Sequence, residues 1–81
     1  MLRVLFFAQL AERLDTTHED MTLPPDIQDA RGLLALLRRR GGIWVEALDE
    51  TRVQVLIDRK FATLDDDLRA AREVAFLPGG S

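Results

Sequence analysis

The sequence predicts an α+β domain, with one main helix packed on one face of a mixed sheet of four to five strands. Three features predict it. Residues 51–58 alternate, with Val53, Val55 and Ile57 on one face and Arg52, Gln54 and Leu56 on the other. Ile27, Ala30, Leu33, Leu34 and Leu37 recur at helical spacing along one stripe. The segments run strand, strand, helix, strand, short strand, strand, so a single helix must shield a single sheet.

The first strand is expected over residues 2–8, a short run rich in branched and aromatic side chains. Leu2, Val4, Phe6 and Ala8 form one face; Leu5 and Phe7 lie on the other with Arg3. A strand covered on one side does not need Leu5 and Phe7, so either a second layer or a partner covers that face. Ala11 to Leu14 makes a helical turn, and Glu19 to Leu23 a second strand ended by Pro24 and Pro25, which lack a ladder donor. Together the two strands form a hairpin with a long connection.

Asp26 suits the N-cap of the main helix, with Asp29 near the positive end of its dipole. Gly41 and Gly42 stop that helix, and Gly32 inside it costs about 1 kcal/mol relative to alanine. Ile43 to Glu50, with the single tryptophan, reads as loop or short helix. Phe61 to Leu64 is a brief strand, and Asp65, Asp66 and Asp67 form a solvated turn. The last strand, Glu73 to Leu77, turns Val74 and Phe76 inward and Ala75 and Leu77 outward.

The 81 residues fit one domain, residues 1–77, followed by a flexible tail, 78–81, that carries Gly79 and Gly80. Cysteine is absent, which excludes disulfides, thiolate metal sites and side-chain thiol chemistry. A net charge of −3 argues against nucleic acid as a partner. Arg38, Arg39 and Arg40 stand where cations complement a helix C-terminus, or where a partner docks. No stretch reaches the roughly 20 apolar residues of a membrane span. The opening residues lack a signal-peptide pattern, and the expected location is cytoplasmic.

Chemistry on side chains is hard to assemble. None of the glycines opens a phosphate-cradling loop after a strand. His18 is the only histidine, and three consecutive aspartates lack the alternation of a chelating loop. The chain is therefore not expected to be an enzyme by itself or to bind a metal or cofactor. The end of the last strand is different. Glycines there can thread a narrow channel, and a main-chain carboxyl presented on such a stalk is itself a reactive group.

Taken together, "VLFFAQLAE" (Val4 to Glu12), "LLALLRRR" and "LRAAREVAFLP" (Leu68 to Pro78) before the diglycine resemble the small, sulfur-carrying subunit of molybdopterin synthase. That family has the ubiquitin-like β-grasp fold. The resemblance implies that Gly80, after Gly79, is adenylated by a ubiquitin-activating-like partner using ATP and converted to a thiocarboxylate. It further implies insertion into the large synthase subunit, where the sulfur passes to precursor Z to build the dithiolene of molybdopterin. Phe7, Phe61 and Leu77 match apolar positions that face partners in such carriers, and Pro78 joins them at the base of the tail.

Three departures from the family pattern stand out. Pro78 is followed at once by Gly79 and Gly80, which shortens the tail by about 10 Å at roughly 3.3 Å per extended residue. Ser81 then occupies the end where a free glycine carboxylate is required. Ala70-Ala71-Arg72 also replaces the family's Asp-Gly-Asp turn. The alternatives are a thiamine-pathway sulfur carrier, from typically shorter chains without the "LFFAQLAE" opening, and a ubiquitin-like interaction or conjugation module without sulfur transfer.

Overall fold

Alternation along the first strand decides which side of the sheet becomes the core. In a computed structural model that describes residues 1–79, β1 (Leu2–Phe6) buries Leu2, Val4 and Phe6 and leaves Arg3 and Leu5 on the opposite face. Gly80 and Ser81, the end of the expected tail, lie outside the described residues. The chain continues through α1 (Gln9–Leu14), β2 (His18–Met21), α2 (Ala30–Arg38), α3 (Ile43–Ala47), β3 (Val53–Ile57), β4 (Lys60–Ala62) and β5 (Glu73–Pro78). The five strands form one mixed sheet in the order β2-β1-β5-β3-β4. β1 pairs parallel with β5; every other neighbouring pair is antiparallel. This is the ubiquitin-like β-grasp architecture, a five-stranded sheet packed on its helices. The first two strands form the expected hairpin, with α1 inside its connection.

Strict alternation places Ala8 inward on the first strand, but the strand ends at Phe6 and Ala8 is exposed. Its φ of 53° and ψ of −129° reverse the chain into α1, a conformation costly for a residue with a Cβ. The turn then supplies its own bonds: the Leu10 N–H donates to the Phe7 carbonyl and the Ala11 N–H to that of Ala8, each at 3.1 Å.

The main helix starts later than its sequence pattern suggests. Asp29, not Asp26, is the N-cap, its Oδ1 accepting from the Gly32 N–H at 2.8 Å. The choice is made by a distant segment. The Ala30 and Arg31 N–H groups, which have no partner inside the helix, donate to the Asp66 and Leu64 carbonyls at 3.3 and 2.7 Å. The loop between β4 and β5 thus closes over the first turn of α2, pinned by fully buried Leu68, whose N–H reaches the Gln28 carbonyl at 2.8 Å. Gly32 fits this arrangement, since a Cβ there would meet Ile27 Cγ2 at 3.1 Å and the capping Asp29 Oδ1 at 3.2 Å. Ala30, Leu33, Leu34 and Leu37 form the buried stripe, and Ile27 packs beside them from before the helix. Each buried leucine contributes roughly 1.5–3 kcal/mol.

After α2, Gly41 and Gly42 take positive φ values of 77° and 58° and turn the chain back. Residues 43–50, ambiguous in sequence, therefore begin with α3, which returns Ala47 and Leu48 to the core. Trp44 meets Phe6 edge-on with ring centroids 5.7 Å apart. Arg40 lies over the Trp44 ring at 4.5 Å and donates to both Glu19 oxygens, at 2.9 and 2.5 Å. One member of the arginine cluster therefore ties the β2 edge to the end of α2 and to α3, beyond any complement to the helix dipole.

Two expectations follow. Asp29→Ala should cost about 1 kcal/mol in urea denaturation, whereas Asp26→Ala should stay within about 0.5 kcal/mol. The hydrogen bond from Arg40 holds the Glu19 carboxyl below its ordinary value of 4.5. A depressed folded pKa contributes stability above the unfolded value and loses it as pH falls through the folded one. The stability gap between wild type and Glu19→Gln should therefore be level at neutral pH and close progressively below about pH 4.5, as read by thermal melts across pH.

Candidate functional site

The helices cover one side of the sheet; the other side carries a graded surface set by strand register. Leu5 stands opposite Ala75, Ala75 opposite Leu56, and Leu56 opposite Phe61, giving an apolar row from β1 to the β4 edge. Phe7, whose N–H donates to the Phe76 carbonyl at 3.1 Å, continues the β1–β5 ladder beside Leu77, which in turn pairs with Gln54. At the other end of the same face Arg3 bonds Asp20 at 2.9 Å, and Arg59 approaches Glu73 at 3.8 Å. The Arg3 hydrogen bond holds the Asp20 carboxyl below the ordinary carboxylate range. The face thus grades from paired charges to a largely apolar end, where Phe7 and Leu77 stand with exposed Gln54 and where β5 leaves the sheet.

A groove of about 340 Å³ runs along this face, lined by Leu5, Phe7, Leu56, Arg59, Glu73 and Ala75. Ala75 is only 2% exposed and forms its floor between two leucines. Phe7 is 44% exposed and Phe61 76%, and both are among the few large apolar residues so open to solvent. Of the residues singled out in the sequence, Phe7 lines the groove, Phe61 stands at the β4 edge beside Leu56, and half-buried Leu77 flanks Phe7. Pro78 does not join them. It pairs with Val53 and lines a separate groove on the helix side, with Gln9, Arg13, Glu46 and Arg52. Leu5 shares with Phe7 the outward face of the first strand that the sequence left without a cover, whereas Leu56 and Ala75 were not singled out. Their signal was present as apolar residues on the outward positions of three strands, but only the strand order shows that they meet.

β5 extends one residue past the expected Leu77, and its hydrogen bonding extends further still. The Gly79 N–H donates to the Arg52 carbonyl at 2.8 Å. Gln54 lies across Gly79: a Cβ built there would come within 2.1 Å of Gln54 Cγ and 2.7 Å of its Cδ. A side chain at position 79 would therefore have to turn exposed Gln54 aside, a constraint inside this chain apart from any demand of a partner. Gly80, the residue singled out for carboxyl chemistry, lies outside the described residues. Among the described residues no helix is long and apolar enough to cross a membrane, and no three potential ligands gather where they could hold a metal ion.

The Gly79–Gln54 contact is open to a double-mutant cycle. Gly79→Ala should lower stability by about 0.5–1.5 kcal/mol, the cost of forcing the Gln54 side chain off its rotamer, and Gln54→Ala should recover most of that loss, with equilibrium denaturation as the measurement. Equal losses in both backgrounds would show that Gln54 does not oppose the added methyl.

Comparison with known proteins gives the geometry a family. No curated sequence matches the chain. Among solved structures, the one named "Putative molybdopterin converting factor, subunit 1 from Pyrococcus furiosus" superposes with a TM-score of 0.74 at 17% identity, covering 95% of this chain and 94% of that one. At that identity the likeness speaks for the fold. The model of the ThiS family matches residues 4–80, nearly the whole sequence and inclusive of both glycines. The chain belongs to the ThiS family, small sulfur-carrier proteins built on the ubiquitin-like β-grasp domain.

Proposed function

We propose that this protein carries sulfur for molybdenum cofactor biosynthesis, with Gly80 as the carboxyl donor and the outer sheet face as the docking surface. The observation that carries this reading is a coincidence of position. The apolar end of an open sheet face, with Phe7 and Leu77, borders the strand that runs directly into Gly79. An exposed apolar surface of this kind marks a partner site, and here the partner would hold the body of the domain while receiving its tail. The molybdopterin assignment over thiamine rests on the "VLFFAQLAE" opening, which places Phe7 at that border.

In this scheme a partner adenylates the Gly80 carboxylate with ATP and releases pyrophosphate. A sulfide equivalent then displaces AMP and leaves a thiocarboxylate. The large synthase subunit takes up the charged tail, the sulfur passes to precursor Z, and a water oxygen takes its place on the acyl carbon to restore the carboxylate. None of these steps asks for a side chain of this protein, in keeping with a chain that has no cysteine. Ser81 follows Gly80, so the reactive form is one that ends at Gly80.

Intact mass spectrometry tests the proposal. Chains ending at Gly80 and at Ser81 are incubated with ATP, a sulfide donor and the adenylating enzyme of either the molybdopterin or the thiamine pathway. The expected result is an oxygen-to-sulfur mass gain only for the Gly80 form and only in the molybdopterin arm. A gain confined to the thiamine arm would transfer the protein to that pathway, and adducts on other proteins would make it a conjugating module. In a separate measurement, Phe7→Asp should leave the melting curve nearly unchanged, since Phe7 lies outside the buried core, yet abolish binding to the large synthase subunit. Unchanged binding would remove the outer face from the interface.

A further inference from the structure

The chain contains ten arginines and one lysine. That imbalance has a spatial side. Lys60 opens β4, where it pairs with Ile57, and Ile57 pairs on its other side with Val74, near the start of β5. The tail leaves from the opposite end of the same ladder, where Val53 pairs with Pro78. Four residue steps along β3 separate those two rungs, roughly 13 Å at about 3.3 Å per residue, and two inter-strand steps separate β4 from β5. β5 runs away from the lysine, and two tail residues span at most about 7 Å.

The tail end of the sheet carries its positive charge on arginine instead. Arg13 of α1 and Arg52, just before β3, line the groove of about 180 Å³ beside Pro78, together with Glu46. The Arg52 carbonyl holds the Gly79 N–H, so residue 52 stands directly across from the residue that precedes Gly80. Among the described residues neither arginine side chain forms an ion pair, nor do Arg38, Arg39 and Arg72, whereas Arg3, Arg31, Arg40, Arg59 and Arg69 all do. The nearby Asp49 carboxylate accepts instead from the Thr51 N–H and hydroxyl, at 2.9 and 2.8 Å. Structural pairing therefore gives no reason for a guanidinium over an amine at positions 13 and 52.

Reactivity gives one. A guanidinium stays protonated and is no nucleophile, while a lysine amine exchanges its proton with solvent, and the small neutral fraction at an exposed position attacks activated carbonyls. We propose that the fold excludes amines from the end of the sheet where the tail leaves, with Arg13 and Arg52 supplying charge there without a group able to intercept an activated Gly80. This rests on the carrier reading above. An amine in that position would attack the acyl carbon of the adenylate, forming a C–N bond as the C–O bond to phosphate breaks. AMP would leave with the bonding electrons, the amine proton would pass to solvent, and the tail would be lost as an internal amide.

The experiment uses the chain ending at Gly80, which retains every described residue, with ATP, the adenylating enzyme and a sulfide donor. Arg52→Lys and Arg13→Lys place an amine beside the tail, and Arg69→Lys adds one beside Met1 and Leu2, at the far end of the sheet, as a distal control. All three keep the charge. Expected for the proximal variants are loss of thiocarboxylate and a new species one water lighter than the free chain, cross-linked between Gly80 and the new lysine on peptide mapping. Wild type and Arg69→Lys should give thiocarboxylate alone. Full thiocarboxylate yield in both proximal variants, with no lighter species, would overturn the proposal. Failure of wild type to be adenylated at all would instead overturn the carrier reading.

Discussion

The parallel ladder between β1 and β5 joins the first strand to the last in the centre of the sheet, from the Arg3 N–H on the Arg72 carbonyl to the Phe7 N–H on that of Phe76. Because the two strands run the same way, their C-terminal ends emerge together, and Phe7 arrives beside Leu77 and the root of the tail. An antiparallel pairing would send Phe7 to the opposite end, beside Glu73, and would bring Arg3 to the root of the tail. The cost is kinetic. Such a pairing closes nearly the whole chain before it gains a contact, which slows folding relative to local hairpins.

A second dependence runs through the loop before β5. Its carbonyls at Leu64 and Asp66 complete the first turn of α2, while Leu68 fills the space beneath. The same loop ends at the Arg72 and Glu73 N–H groups, which both donate to Asp58 Oδ1, at 3.0 and 3.1 Å. Asp58 and Arg59 hold positive φ values of 50° and 70° in the β3–β4 turn. One stretch of irregular chain thus positions the helix at one end and the start of β5 at the other. The Asp67 carboxyl within it, held down to about 2 by hydrogen bonds from Arg69, is committed to local structure.

Much of this was legible in the sequence because the period of a strand or helix is a local property. The alternation through Val53, Val55 and Ile57 and the stripe of Ala30, Leu33, Leu34 and Leu37 each led to an element of the right type. What was hidden depended on partners far along the chain. Asp26 and Asp29 carry equivalent capping chemistry, and the Asp66 and Leu64 carbonyls chose between them. Ala8 leaves the strand because α1 must start there, a demand that alternation cannot express. For the site, apolar residues on both faces of the first strand were a sufficient signal for Phe7. The row through Leu5, Ala75 and Leu56 needed the strand order, and the packing of Gly79 under Gln54 needed atomic contacts.

The central place of β5 has a mechanical consequence. A pull along its axis loads the β1 and β3 ladders in shear, so the bonds on both flanks must yield together, whereas the short β4 at the margin can be peeled rung by rung. An enzyme that drew this chain end into a tunnel would stall against an intact domain at the tunnel mouth. The depth of insertion would then be fixed by where the sheet stops, so that the β-sheet acts as a collar.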